Sequence, residues 1–303
     1  MERLGEKRVS TGLKSRGRLQ DLVEDARISW YRLKRSRLSL VGLTLIVAVA
    51  LAAALAPYIT PKPEDAGKVS HFEKRLQPPN SENWLGTDGA GRDVLTRIVF
   101  GGRVAIEAGL IVIAVAIGLG VPLGLIAGYL GGAVDLITMR ITDIFLSIPG
   151  LALALVVASV LTPSLETSSL AISLVWWPWY VRLVRGEVLS LREEQFVEAS
   201  RAIGASKMRV AFKEILPNLV SLVTVKGSLD MGYAILWGIA LSFLGLGVQE
   251  PMPDWGRMLA EGRTLLPQAW WISTFPGLAI FITVLGFNLL GDGLRDIFDV
   301  RII

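Results

Sequence analysis

Few residues in this 303-residue chain have the type and spacing that chemistry requires. Lys226 and Asp230 stand four apart inside a long apolar run, so they share one helix face. An ionisable pair at membrane depth reads either as part of a polar pathway or, more plainly, as a satisfied internal pair with a snorkelling lysine. Arg103 and Glu107 repeat that spacing near the start of another apolar run and read as a structural pair. Asp135, Arg140 and Asp143 flank the start of a third run and read as an interfacial network. His71 is the sole histidine, cysteine is absent, and no H-E-x-x-H string occurs. Thiol chemistry, a Ser-His pair at depth and a metalloprotease site therefore have no residues to build on. No G-x-x-x-x-G-K-[ST] loop is present either, so ATP used by such a system must be bound by another chain. The reading is of a non-enzyme with no catalytic residue, no metal site and no cofactor.

The composition says where the chain resides. Hydrophobic residues make up 52% and mean hydropathy is +0.52, too apolar for a domain that must clothe a core in polar residues. The net charge is +4, but Lys and Arg gather beside apolar segments. Attraction to membrane lipid and control of topology explain that placement, and nucleic acid is not expected as a partner. The first apolar run begins near Leu38 and ends at Pro57 and Tyr58 without a small-residue cleavage site, so it is expected to stay as an anchor.

Six runs approach the roughly 20 residues that cross a bilayer as helix: 38–57, 104–129, 141–161, 170–184, 219–248 and 270–290. The fold class expected is an all-α integral membrane protein with six transmembrane helices. The fourth run is the weakest, because Pro178 lies inside it and Trp176, Trp177, Trp179 and Tyr180 resemble an interfacial belt as much as a core. With both termini in the cytoplasm, the inner segments carry about twice as many Lys and Arg as the outer ones. That orientation gives a basic tail at 1–37, a six-span unit at 38–303, an outer loop at 59–103 and a cytoplasmic loop at 185–217. Within the tail, Ile28, Trp30, Tyr31 and Leu33 among many cations suit an interfacial helix as well as a bare topology signal.

The polar interruption at 193–218, EEQFVEASRAIGASKMRVAFKEILPN, calls for a use. Phe196, Ala199, Ala202 and Ile203 fall on one helix face, with Glu193, Glu194, Arg201 and Lys207 on the polar side. Gly204 ends or bends that helix, and a second helical run from Ala205 and Ser206 is expected to end by Pro217. Small residues at Ala199, Ser200, Ala202, Gly204 and Ala205 let another surface approach the backbone, which a spacer does not need. A solvated amphipathic loop fits the same residues.

At these positions the sequence resembles the signature E-A-A-x3-G-x9-I-x-L-P of permease subunits of ATP-binding-cassette importers. Glu198, Ala199, Ser200, Gly204, Leu216 and Pro217 are in register, with Ser200 in place of the second alanine and Glu214 at the isoleucine position beside Ile215. The blocks LGTDGAGRDVLTRIVFGGR, MRITDIFLSIPGLALAL, ALSFLGLGVQEPMPDWGRML and FPGLAIFITVLGFNLLGDGLRD are similar to the second permease subunit of dipeptide and oligopeptide importers. Nickel, glutathione and oligosaccharide importers share that subfamily.

The resemblance implies a type I, MetI-like permease fold in the cell inner membrane. Its implied partners are a homologous permease, two ATP-binding subunits and an extracytoplasmic substrate-binding protein. Glu198, Ala199, Ser200, Ala202, Ile203, Gly204, Ala205, Leu216 and Pro217 would form the ATPase-coupling surface. From the residues themselves, and not from the resemblance, Asp88, Arg92 and Asp93 are expected to hold a helix start through local hydrogen bonds, the structural role being preferred to contact with the binding protein. Lys226 and Asp230 are the candidates for the pathway. An ion-coupled transporter, the main rival, calls for paired acids at the membrane midplane, which the sequence does not supply. A membrane enzyme or an assembly subunit are the other rivals.

Overall fold

A computed structural model describes residues 36–298. The expected interfacial helix around Trp30 and the rest of the basic tail lie outside the described residues, as do residues 299–303. Among the described residues the architecture is helical, with one isolated β-bridge between Thr87 and Asp93. Helix α1 (Arg37–Ala54) leads through the one-turn helix Ala56–Ile59 into a long connecting segment, and α2 (Val94–Leu130) follows. Then come α3 (Gly132–Ser147), α4 (Gly150–Val160), α5 (Leu165–Leu191) and the short α6 (Gln195–Ala202). The long α7 (Lys207–Phe243), α8 (Trp255–Thr264) and α9 (Trp271–Phe298) complete the chain.

Among the described residues four helices, α1, α2, α7 and α9, are long and apolar enough to cross a membrane. The run 141–161 is not one straight span, because α3 and α4 meet at an 86° bend. Pro149 supplies no N–H and biases Ile148 to extended backbone (φ −92°, ψ 134°), so the helix cannot run through. Helix α5 has 27 residues, about 40 Å at 1.5 Å per residue, with Arg182, Arg185 and Glu187 toward its end. Pro178 lies inside it without ending it. The expected aromatic belt is largely interior: Trp176, Trp177 and Tyr180 are buried and only Trp179 faces out. Trp176 meets Trp237 edge-on at 4.7 Å, and Trp177 meets Phe145 at 5.4 Å.

Two more expectations change. Pro217 does not end the second helical run, which continues to Phe243. The preceding residues Val210–Ile215 wind as a π-helix, and Leu216 N–H reaches Ala211 O. That wider turn makes room for a proline ring that would otherwise meet the carbonyl four residues back. Nor does Arg103 pair with Glu107. Its Nη2 donates to Ala54 O at 3.3 Å, tying α2 to the end of α1, while Glu107 is exposed.

The most extensive crossing is between α2 and α5. Gly120, Gly124 and Gly128 recur every fourth residue and bring the two backbones together. A Cβ on Gly124 would stand 2.7 Å from Val181 O, and one on Gly128 would stand 2.9 Å from Val188 Cβ. Helices α1 and α9 meet similarly, where a Cβ on Gly42 would stand 2.6 Å from Leu290 N.

The segment between α1 and α2 is fixed by buried charge. The Asp88 carboxylate accepts the N–H groups of Ala90 (2.8 Å) and Arg92 (2.9 Å) and the Arg92 Nε–H (2.8 Å). Arg97, 1% exposed, approaches the same carboxylate at 3.4 Å, and Glu250 from the α7–α8 connection accepts from Arg92 Nη2 at 3.1 Å. Asp65 accepts Asp93 N–H at 2.8 Å and meets His71 Nε2 at 3.0 Å. Asp93 caps α2 through Thr96 N–H at 2.8 Å. Burial pushes the Glu250 carboxyl up, but the Arg92 hydrogen bond and the charges of Arg92, Arg97 and Arg257 outweigh it and hold the group below its ordinary value.

Gly124→Leu forces α2 and α5 apart and should lower thermal stability in detergent by more than about 2 kcal/mol. Gly118→Leu, where a Cβ meets nothing within 4 Å, should leave it unchanged. Equal effects of the two would remove the glycine contact as the cause. Because the folded Glu250 pKa is depressed, its contribution is present above the ordinary carboxylate range and fades as pH falls below it. Hydrogen exchange of segment 86–93 should therefore accelerate on acidification, and Glu250→Gln should flatten the Glu250-dependent part of that profile.

Candidate coupling surface

Helix α6 turns one side inward and one outward. Val197 is fully buried beneath it, and the Arg201 guanidinium lies 5.2 Å from the Tyr129 ring centroid at the end of α2. Arg201 Nε also donates to Tyr129 Oη at 3.3 Å. Arg201 is thus an anchor rather than part of a free polar side, since a guanidinium stacked on an aromatic face also contributes packing. Phe196, Ala199, Ala202 and Ile203 all face outward, with Ile203 86% exposed. Glu198 is exposed on the same short helix, and Glu193, Glu194 and Lys207 are exposed beside it.

Gly204 ends α6 as expected, at φ +80°. Ala205 N–H bonds to Ser200 O at 3.1 Å and Gly204 N–H to Arg201 O at 2.9 Å, the paired bonds of a Schellman stop. A Cβ on Gly204 would meet nothing within 4 Å, so the backbone angle, not crowding, requires glycine. Ser206 then caps α7 through Arg209 N–H at 3.4 Å. Ser200, Ala205 and Leu216 are half-buried and Pro217 is exposed. At the departure from the signature, Ile215 is fully buried and Glu214 half-buried. The π-helical turn carries Ile215 into the core with Val210 and Ala211.

The helix that precedes α6 is held by charge. Arg185 makes two bonds to Asp135, at 2.5 and 2.7 Å, and Arg182 reaches Asp143 at 2.6 Å. The expected network is therefore between α3 and α5, and Arg140 stays outside it, exposed. Arg192 donates to Gly128 O at 3.1 Å, at the end of α2. Sequence reasoning missed Val197, the Arg201–Tyr129 contact and these bridges, because none of the partners lies within helical reach along the chain. Asp65 and Glu250 escaped notice in the outer cluster for the same reason, whereas Asp88, Arg92 and Asp93 do come together there.

The intramembrane pair forms, with Lys226 Nζ 2.5 Å from Asp230 Oδ1. Asp230 is 2% exposed, and the buried Tyr180 hydroxyl of α5 interacts with it. The pair sits at the junction of α5 and α7, in the same helix as Leu216 and Pro217.

Comparison with known proteins gives this arrangement a family. Residues 120–303 match the family described as binding-protein-dependent transport system inner membrane component, and residues 26–79 match the N-terminal transmembrane domain of oligopeptide transport permease C. The chain is 44% identical over 275 residues to the dipeptide transport system permease protein DppC of Alkalihalophilus pseudofirmus, covering 91% of this chain and 90% of that protein. It is 42% identical over 276 residues to the probable D,D-dipeptide permease DdpC of Escherichia coli, covering 91% of each. With the glutathione permease GsiD of Pectobacterium atrosepticum it shares 39% over 274 residues, 90% of each chain. The fold is similar to a solved chain of the inward-facing MetNI methionine ABC transporter, with TM-score 0.55 and 18% identity, over 66% of this chain and 96% of that one. A helical membrane body without catalytic residues, carrying an outward-facing short helix between two long ones, thus belongs to the permease family of binding-protein-dependent ABC importers.

Proposed function

We propose that this permease passes short peptides across the inner membrane, and that α6 receives the movement of two ATP-binding subunits on its Phe196, Ala199 and Ile203 face. The exposed apolar and small-residue side of an otherwise anchored helix carries this reading. An exposed Ile203 has no use in a solvated loop but suits a partner groove. The excess of Lys and Arg on one side supports a cytoplasmic α6 and cytoplasmic termini, with 59–93 facing outward toward a substrate-binding protein. Dipeptides, D,D-dipeptides and glutathione, named for the relatives, are all short peptides, which supports that cargo over nickel or an oligosaccharide. A homologous permease would complete the pathway.

Mechanistically, the subunits' closure displaces α6 as a rigid piece, since Val197 and Arg201 bind it to the membrane body and Gly204 supplies the turn. The displacement enters α5 through Arg182–Glu187 and α7 through Pro217. Energy then appears as different affinities of inward- and outward-open states for the subunits and the loaded binding protein. No bond of the cargo changes.

Ile203→Asp and Ala199→Trp should leave the chain inserted and its thermal stability within about 0.5 kcal/mol, because both sites are exposed. Both should release the ATP-binding subunits on purification. Retained subunits, with ATP hydrolysis still responding to the loaded binding protein, would refute the docking assignment. Arg92→Ala should weaken binding-protein docking measured on the complete complex. Unchanged docking would leave Arg92 with the structural role only.

A further inference from the structure

We infer that the cavity at the break between α3 and α4 is a subsite for the main chain of a short peptide, with a neighbouring side chain stacked on tryptophan. The inference rests on the short-peptide reading above and gives it a location. The cavity has a volume of about 400 Å³, within the range of small-ligand sites. Its walls include Phe145 and Ile148 at the break, Trp176 and Trp179 from α5, and Trp237 from α7. No charged side chain lines it, which disfavours a free ion as occupant.

The break leaves main-chain groups of both kinds beside this space. The first hydrogen bond of α4 is Leu153 N–H to Pro149 O at 3.0 Å, and Pro149 offers no side-chain cap. Of the N–H groups that precede the helical ladder, that of Gly150 belongs to a residue lining the space. On the other side, the carbonyls of Phe145, Leu146 and Ser147 follow the last donor of α3. At membrane depth such groups are tolerated where they line a cavity, and a peptide presents the complementary carbonyl and N–H at the same spacing. The tryptophans point the same way. Trp255 and Trp271 donate their indole N–H to Ile98 O (2.8 Å) and Thr87 O (3.1 Å), whereas Trp176, Trp179 and Trp237 border the space with their rings. Aromatic faces accept side chains of many shapes, so main-chain bonds with aromatic stacking suit a carrier of varied peptides.

The floor of the subsite ties it to the coupling surface. A Cβ on Gly150 would stand 2.7 Å from Val175 Cγ1 and 2.8 Å from the Trp237 ring, so the break is seated directly on α5 and α7. Those two helices carry α6 between them, and a displacement of α6 reshapes the walls around the peptide.

The test uses the complete importer in vesicles, with radiolabelled trialanine delivered by its own binding protein, and a tetrapeptide bearing benzoylphenylalanine for photocrosslinking. Trp179→Ala removes an exposed wall, and Ile148→Trp fills the space from an exposed position. Each should lower uptake by roughly ten-fold or more, while co-purification of all subunits and ATP hydrolysis stimulated by the binding protein stay unchanged. Wild-type crosslinks should map to 145–151 and to α5. Normal uptake by both variants, with crosslinks elsewhere, overturns the subsite and leaves the peptide reading intact. Failure of the wild type to take up any peptide overturns that reading and the subsite with it. Loss of the homologous permease from either variant makes the cavity a subunit contact and overturns the subsite alone.

Discussion

The contact of α2 with α5 along Gly120, Gly124 and Gly128 is the constraint from which the other arrangements follow. Lipid tails are as apolar as leucine, so helices in a bilayer associate through close packing and internal hydrogen bonds rather than through exclusion of water. The glycines permit that packing, and they also fix the height of α5 relative to α2. At that height Arg192 reaches Gly128 O, and Tyr129 lies beneath α6 to receive Arg201. The seating of the outward-facing helix is therefore a property of a crossing deeper in the membrane body.

Much of the fold was legible because two strong signals coincide. Apolar runs of spanning length mark the helices, and the stretch around Gly204 carries its own stop in a positive φ that only glycine adopts freely. The helix starts at Asp93 and Ser206 were likewise written locally, as capping side chains a few residues ahead of their helices. What escaped was non-local. Arg103 looked paired with Glu107 because a one-dimensional reading sees only i,i+4 partners, yet the end of α1 offered a free carbonyl. The tryptophans of α5 looked interfacial because nothing in sequence indicates that α3 and α7 lie over them.

Two local irregularities show how this chain accommodates proline. At Pro149 the helix stops and restarts at a steep angle, so main-chain groups are left facing a cavity. At Pro217 the helix continues, because the π-helical turn before it absorbs the missing hydrogen bond. The same turn places Ile215, not Glu214, in the core.

Helix α2 has 37 residues, about 55 Å from end to end, while a bilayer's hydrocarbon core is about 30 Å thick. It therefore protrudes well beyond the lipid. One end is gripped by the Asp88, Arg92 and Arg97 cluster, and the other carries Tyr129 under α6. The surfaces proposed to meet a binding protein and an ATPase are thus opposite ends of a single strut. A tilt imposed at either end is felt at the other through covalent backbone, with no relay of side chains between them.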